Sequence, residues 1–209
     1  MPTTPGTSQP LVFAAQEAHR ISARLPGSLQ LTEPGDATAT TLAADELPTR
    51  DTVLRHLPSC AIAHFACHGH SDPADPSRSR LLLHDHLTAP LTVAAVARLH
   101  LGRDPGPPRL AYLSACNTAA TTAGLIDEAI HLASAFQLAG YSHVIATLWE
   151  INDQIAASTA DAFYAKLPGN GDVLDVSQAA HALHHAVRAI RAAYPAAPSF
   201  WAAYLHTGA

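Results

Sequence analysis

Imidazole and thiol are the reactive groups this sequence offers, with 14 histidines and three cysteines among 209 residues. One of each stands in a distinctive place. The apolar run Cys60 to Cys67 leads directly into His68-Gly69, and the run Leu110 to Ser114 leads directly into Ala115-Cys116-Asn117-Thr118. A cysteine is a nucleophile only as its thiolate, and a neighbouring imidazole can take the proton or stabilise the anion. A glycine straight after the imidazole lets backbone N–H come close to a substrate carbonyl. The N–H groups of Gly69 and Cys116 are therefore candidate oxyanion donors. His68 and Cys116 are the candidate base and nucleophile.

The remaining histidines and cysteines read differently. His64 lies four residues before His68 on the same strand, deeper and on the same face, which suits a hydrogen-bonded core histidine. Cys67 alternates away from His68 and reads as packing, and Cys60 has no argument for function. His181, His184 and His185 flank Arg188 and Arg191 on a helix. Spacings of three and four can hold zinc, but beside two arginines they read as a solvated face. His84 and His86 bracket a turn and read as solvated loop residues. The string His68-Gly69-His70-Ser71-Asp72 superficially resembles the ligand run of metallo-β-lactamase-like hydrolases, but Pro73 occupies the last ligand position. No metal and no cofactor is expected.

These groups must be positioned by alternating strands and helices. Residues 14–25 have a helical pattern closed by Pro26-Gly27, and Leu29 to Leu31 is a short strand candidate. Thr49 caps a helix to Leu57, and Cys60 to Cys67 is a buried strand. Leu81 to Leu83 is a strand running into a turn, and Thr92 starts a helix to about Leu99. Strands follow at Leu110 to Ser114 and His143 to Leu148, with helices from Asp127 to Ala139, Asp153 to Leu167 and Val176 to Tyr194. Gly140 is a C-cap, and Asp127-Glu128 complement a helix dipole. Ser199 to Leu205 reads as a closing edge strand. Such alternation predicts an α/β fold with a mostly parallel sheet flanked by helices. In open sheets of this kind, active groups gather beyond the carboxyl ends of the strands, which is where His68 and Cys116 fall.

Composition narrows the class of function. Twelve basic against 17 acidic residues leave a formal charge of −5, without the basic excess of a nucleic-acid binder. Hydrophobic residues make up 48%, ordinary for a globular chain. Three cysteines are too few and too odd in number for a disulfide scaffold, which points to a reducing compartment. The start of the sequence has neither a positive cluster nor an apolar run, and no stretch approaches the ~18 apolar residues of a membrane span. The expectation is a cytoplasmic protein with no membrane or nucleic-acid partner. Residues 1–10, rich in Pro, Thr, Ser and Gly, are expected to be disordered, with a single domain over 11–209.

The strings His64-Phe65-Ala66-Cys67-His68-Gly69 and Leu113-Ser114-Ala115-Cys116-Asn117-Thr118 resemble the two signature blocks of CHAT domains, bacterial members of the caspase/separase-like peptidase clan. The resemblance continues through Leu91-Thr92, Asp127-Glu128, Ala135-Phe136, Ala139-Gly140, Leu148-Trp149, Asp153, Phe200-Trp201 and Gly208, and spans residues 14 to 208. Cys116 also follows His68 at close to the spacing of about 50 residues found in caspases. The resemblance implies a caspase-like three-layer sandwich and a cysteine endopeptidase with His68 as base and Cys116 as nucleophile. Its partners would be a protein or peptide substrate and a regulatory protein in a signalling or defence setting. Members of the clan specific for basic residues carry an aspartate two residues before the nucleophile. Ser114 stands there, so no trypsin-like preference is implied. Ser114, Trp149 and Asp153 are the candidate substrate-pocket residues. The competing reading is a catalytically silent caspase-like interaction module.

Overall fold

The first helix, α1 (Ala14–Arg24), stops just before Pro26-Gly27, where Gly27 takes φ +74°. In the second, α2 (Arg50–His56), the expected cap is present: Thr49 Oγ1 accepts from Thr52 N at 3.2 Å. The strands and helices that follow are β1 (Ile62–His70), β2 (Arg80–Leu82), β3 (Leu91–Thr92), α3 (Val93–Ala97), β4 (Leu110–Asn117), α4 (Leu125–Ala139), β5 (His143–Thr147), α5 (Asp153–Lys166), β6 (Gly169–Asn170), β7 (Val173–Leu174), α6 (Ala179–Ala193), α7 (Pro198–Trp201) and β8 (Tyr204–Gly208). This computed structural model describes residues 1–6, 9–33, 47–102, 106, 108–117, 125–167, 169–170 and 173–208, without the side chains of 115–117, 125–131, 170 and 173.

Six strands form one mixed, mostly parallel sheet in the order β3-β2-β1-β4-β5-β8. The central three are parallel, and β2 and β8 run antiparallel to their neighbours. Helices cover both faces, giving the expected α/β sandwich of caspase-like architecture. Strand alternation sorts the core. Ala63, Phe65, Cys67, Ala111 and Leu113 pack with Val53 of α2, Val96 of α3 and Phe136 of α4. Leu110, Tyr112 and Ile145 face the other way, onto Ile21 of α1, Phe163 and Tyr164 of α5 and Leu183 of α6. Among the described residues, no helix is long and apolar enough to cross a membrane.

Four expectations change. Leu29 to Leu31 forms no strand, and Leu31 instead packs against the first core cluster. β1 and β4 extend through His70 and Asn117, so His68, Gly69 and Cys116 lie within paired strand instead of in loops after it. His86 is not a solvated loop residue: it is 6% exposed, with Nε2 2.7 Å from the carbonyl of Pro5. The closing segment splits, because Pro198 at the first position starts a helical turn and the edge strand begins only at Tyr204.

Helix α4 ends as its glycine requires. Tyr141 N donates to Phe136 O and Gly140 N to Gln137 O, the two bonds of a Schellman cap, and the rings of Phe136 and Tyr141 lie 5.7 Å apart. Gly140 has φ +121°, and a Cβ there would meet Leu101 O at 2.9 Å. Gly140→Ala should therefore lower stability by roughly 1–3 kcal/mol in urea titrations. Gly27→Ala, strained only by its φ and with open space around it, should lose about 1 kcal/mol. Equal losses would show that the approach of Leu101 is unimportant.

At the β5–β8 edge, His143 Nδ1 lies 3.2 Å from His206 Nε2. Burial lowers both pKa values below the usual 6.5, with Arg109 adding to the effect on His143 and His143 to that on His206. A histidine whose folded pKa is depressed stabilises the fold fully above its unfolded value, and that contribution is lost as pH falls below it. Urea midpoints should therefore fall as pH drops below about 6.5, and fall less in His206→Phe. An unchanged slope in that variant would remove the pair as the cause.

Candidate active site

β1 and β4 pair in parallel with His68 in register with Cys116, Gly69 with Asn117 and Ala66 with Ser114. The two residues singled out in the sequence thus stand side by side on neighbouring strands at the carboxyl end of the sheet. The backbone of Cys116 belongs to the described residues and its side chain does not.

His68 is 3% exposed. Its Nε2 lies 2.7 Å from the carbonyl oxygen of Gln9, while Nδ1 is buried and without a partner among the described residues. A carbonyl can only accept, so Nε2 must donate. The neutral ring therefore carries its proton on Nε2 and a lone pair on Nδ1. The segment from Gln9 to Leu11 forms one wall of an open cleft beside His68. Glu150 and Ile151, between β5 and α5, and Asp153, at the start of α5, form the other. Asn152 caps α5 through its side chain, accepting from Gln154 N and Ile155 N. Asp153 Oδ2 accepts from Phe13 N at 2.6 Å, and burial raises its pKa while that hydrogen bond opposes the rise.

The match that decides the family covers essentially the whole chain: the CHAT domain model fits residues 2–209. The chain belongs to the CHAT-domain family. That family is a caspase-like, peptidase-related one. No curated protein matches the chain.

Within this CHAT domain the candidate residues separate. His68, Gly69 and Cys116 come together across β1 and β4, although Gly69 has strand partners on both sides, Leu81 and Asn117. Asp153 reaches the cleft. Trp149 does not line it: its Nε1 donates to Ser199 O at 2.9 Å and its ring packs beside Ile151, Ile155 and Ile190. Ser114 is 8% exposed, two residues before Cys116 along β4. His64 is a bonded core histidine, and Cys67 is buried in the core. Asp127 and Glu128 fall outside the described side chains. His181, His184 and His185 are exposed on α6, and among the described residues no three metal-ligating side chains meet.

Gln9 and Glu150 were not singled out in the sequence. Glu150 could have been found from its place beyond the third strand. Gln9 acts through its carbonyl, which every residue has, so no signal marked it. Nitrogen-detected spectra of the histidine rings should show His68 as the Nε2–H tautomer at neutral pH. An Nδ1–H tautomer would contradict the geometry.

Proposed function

We propose that this CHAT domain is a thiol-dependent endopeptidase with a His68–Cys116 dyad. The observation that carries the reading is an imidazole held by the Gln9 carbonyl, its Nδ1 without a partner among the described residues, on the residue in register with Cys116. Paired positions on parallel neighbours lie about 4.8 Å apart and share a sheet face, a separation suited to proton transfer between their side chains. The thiol of Cys116 gives its proton to His68 Nδ1. The resulting imidazolium keeps Nε2–H on the Gln9 carbonyl. Sγ attacks the carbonyl carbon of the scissile peptide, and backbone N–H groups at Cys116 and Gly69 receive the oxyanion. Gly69 can do so only once substrate displaces a ladder bond at that point. The proton on Nδ1 then passes to the departing amine as the C–N bond breaks. Water hydrolyses the thioester and regenerates the thiol.

A peptide substrate fits the open cleft between Gln9–Leu11 and Glu150–Asp153 better than a small enclosed ligand would. Asp153, Ser114 and Trp149 remain the proposed pocket residues. Of these, Asp153 lines the cleft, Ser114 precedes Cys116 by two residues along β4, and Trp149 would act by bracing the wall. The chain needs no cofactor or metal for this reaction.

An electrophilic peptide probe tests the dyad. Labelling should fall on Cys116, vanish in Cys116→Ala and slow by about 10²–10⁴-fold in His68→Ala. The protein carries its own controls, because burial raises the pKa of Cys60 and Cys67 is 2% exposed. If Cys116 reacts no faster than these two, the fold serves binding and the peptidase reading falls.

A further inference from the structure

Glu17 has no part in that scheme, yet it is 2% exposed. Its Oε1 lies 3.0 Å from His64 Nε2. A carboxylate only accepts, so His64 donates. The imidazole of His64 is held on its other sides too: Nδ1 is 3.3 Å from Tyr164 Oη, and the ring stacks on Tyr112 at 4.9 Å. A buried carboxylate is costly unless paired and hydrogen-bonded, so the position of Glu17, and of α1 with it, is tied to His64 on β1.

The chain connects this pair to the cleft. Glu17 N donates to Phe13 O at 2.8 Å, Phe13 N donates to Asp153 at 2.6 Å, and the Gln9 carbonyl receives His68 Nε2–H. The stretch from Gln9 to Glu17 is thus fastened at three points. Two of them, His64 and His68, stand on one strand four residues apart, about 13 Å along β1. Between them Pro10 fixes one backbone dihedral, and an 11-residue helix is marginal without tertiary anchoring. Leu11 N donates to Pro2 O at 3.0 Å within the same stretch, and beyond Phe13 the fastening passes to α1.

We infer that Glu17, through His64, is a positioning residue for His68: the pair seats α1 on β1, and α1 in turn sets the Gln9 carbonyl that fixes the imidazole. The consequence for Cys116 rests on the dyad reading above; the consequence for the His68 ring does not.

The test uses the full chain with Glu17→Ala and Glu17→Gln, checked for folding by circular dichroism and thermal melting. Three quantities are followed: the His68 Nε2–H resonance, modification of His68 by diethylpyrocarbonate, and alkylation of Cys116 by iodoacetamide. Glu17→Ala should lose the slowly exchanging Nε2–H signal, gain about tenfold in His68 modification and lose about tenfold in Cys116 alkylation, the scale of one charge-assisted hydrogen bond. Glu17→Gln keeps an acceptor for His64 and should retain the wild-type ring signal. Should Glu17→Ala not fold, His64→Leu removes the other partner and carries the same comparison. A folded variant of either kind with the His68 signal and protection unchanged overturns the inference. A perturbed ring, with Cys116 as slow as Cys60 in every protein including wild type, supports the positioning role and sinks the dyad instead.

Discussion

The register between β1 and β4 is the constraint on which the rest of the molecule depends. Eight consecutive residue pairs, from Ile62 with Leu110 to Gly69 with Asn117, are matched in parallel. A slip of one residue would send every side chain of one strand to the opposite face. A slip of β1 would take Phe65 out of the α2–α4 layer, a slip of β4 would take Leu113 out of it and Tyr112 out of the α1–α5 layer, and in either case His68 would no longer stand beside Cys116. Hydrophobic burial on both faces therefore enforces the same alignment that sets imidazole beside cysteine. Core packing and site geometry are one specification.

Around this pair of strands the protein uses backbone groups to orient side chains. Gln9 O holds His68 and Pro5 O holds His86, while Phe13 N occupies Asp153. A backbone carbonyl is a dependable orienter for a base because it can only accept, so it dictates which imidazole nitrogen carries the proton. It also keeps no charge of its own near the ring. Its weakness is that its placement depends wholly on distant packing, which is where the Glu17–His64 pair on the α1 side of the sheet becomes relevant. Buried polar pairs of this sort add little net stability compared with apolar replacements, and they restrict geometry more than they strengthen it.

The C-terminal end of the sheet follows a different logic. Trp149 turns away from the cleft toward α7, where its indole N–H finds the carbonyl of Ser199. Trp201 donates to Tyr194 O at 3.2 Å and lies under the guanidinium of Arg191. Both indoles tie the chain around α6 and β8 together, which keeps the β5–α5 connection, and Asp153 with it, in place beside the cleft.

Much of this architecture was legible in the residues alone. Short punctuated apolar runs marked β1, β4 and β5, threonines at 49 and 92 marked helix starts, and Gly140 marked a helix end, because these signals act within one turn or one strand. The positions of His68 and Cys116 after their apolar runs marked the candidate pair. The extent of the strands was not legible: residues 68–70 and 117 are polar or glycine, and only the pairing of β1 with β2 and of β1 with β4 draws them into the sheet. Leu29 to Leu31 had strand composition but no neighbour to pair with. The proline at 198 was a helix-start signal hidden under an apolar pattern. Gln9 and Glu17 lay beyond reach for the same reason as each other: their roles arise from contacts with residues 59 and 47 positions away. The sequence by itself determined the fold class, the layers and the chemical identities of the pair, because these follow from periodicity and residue type. Only the tertiary structure decided which nitrogen of His68 carries the proton, since that depends on where a distant carbonyl comes to rest.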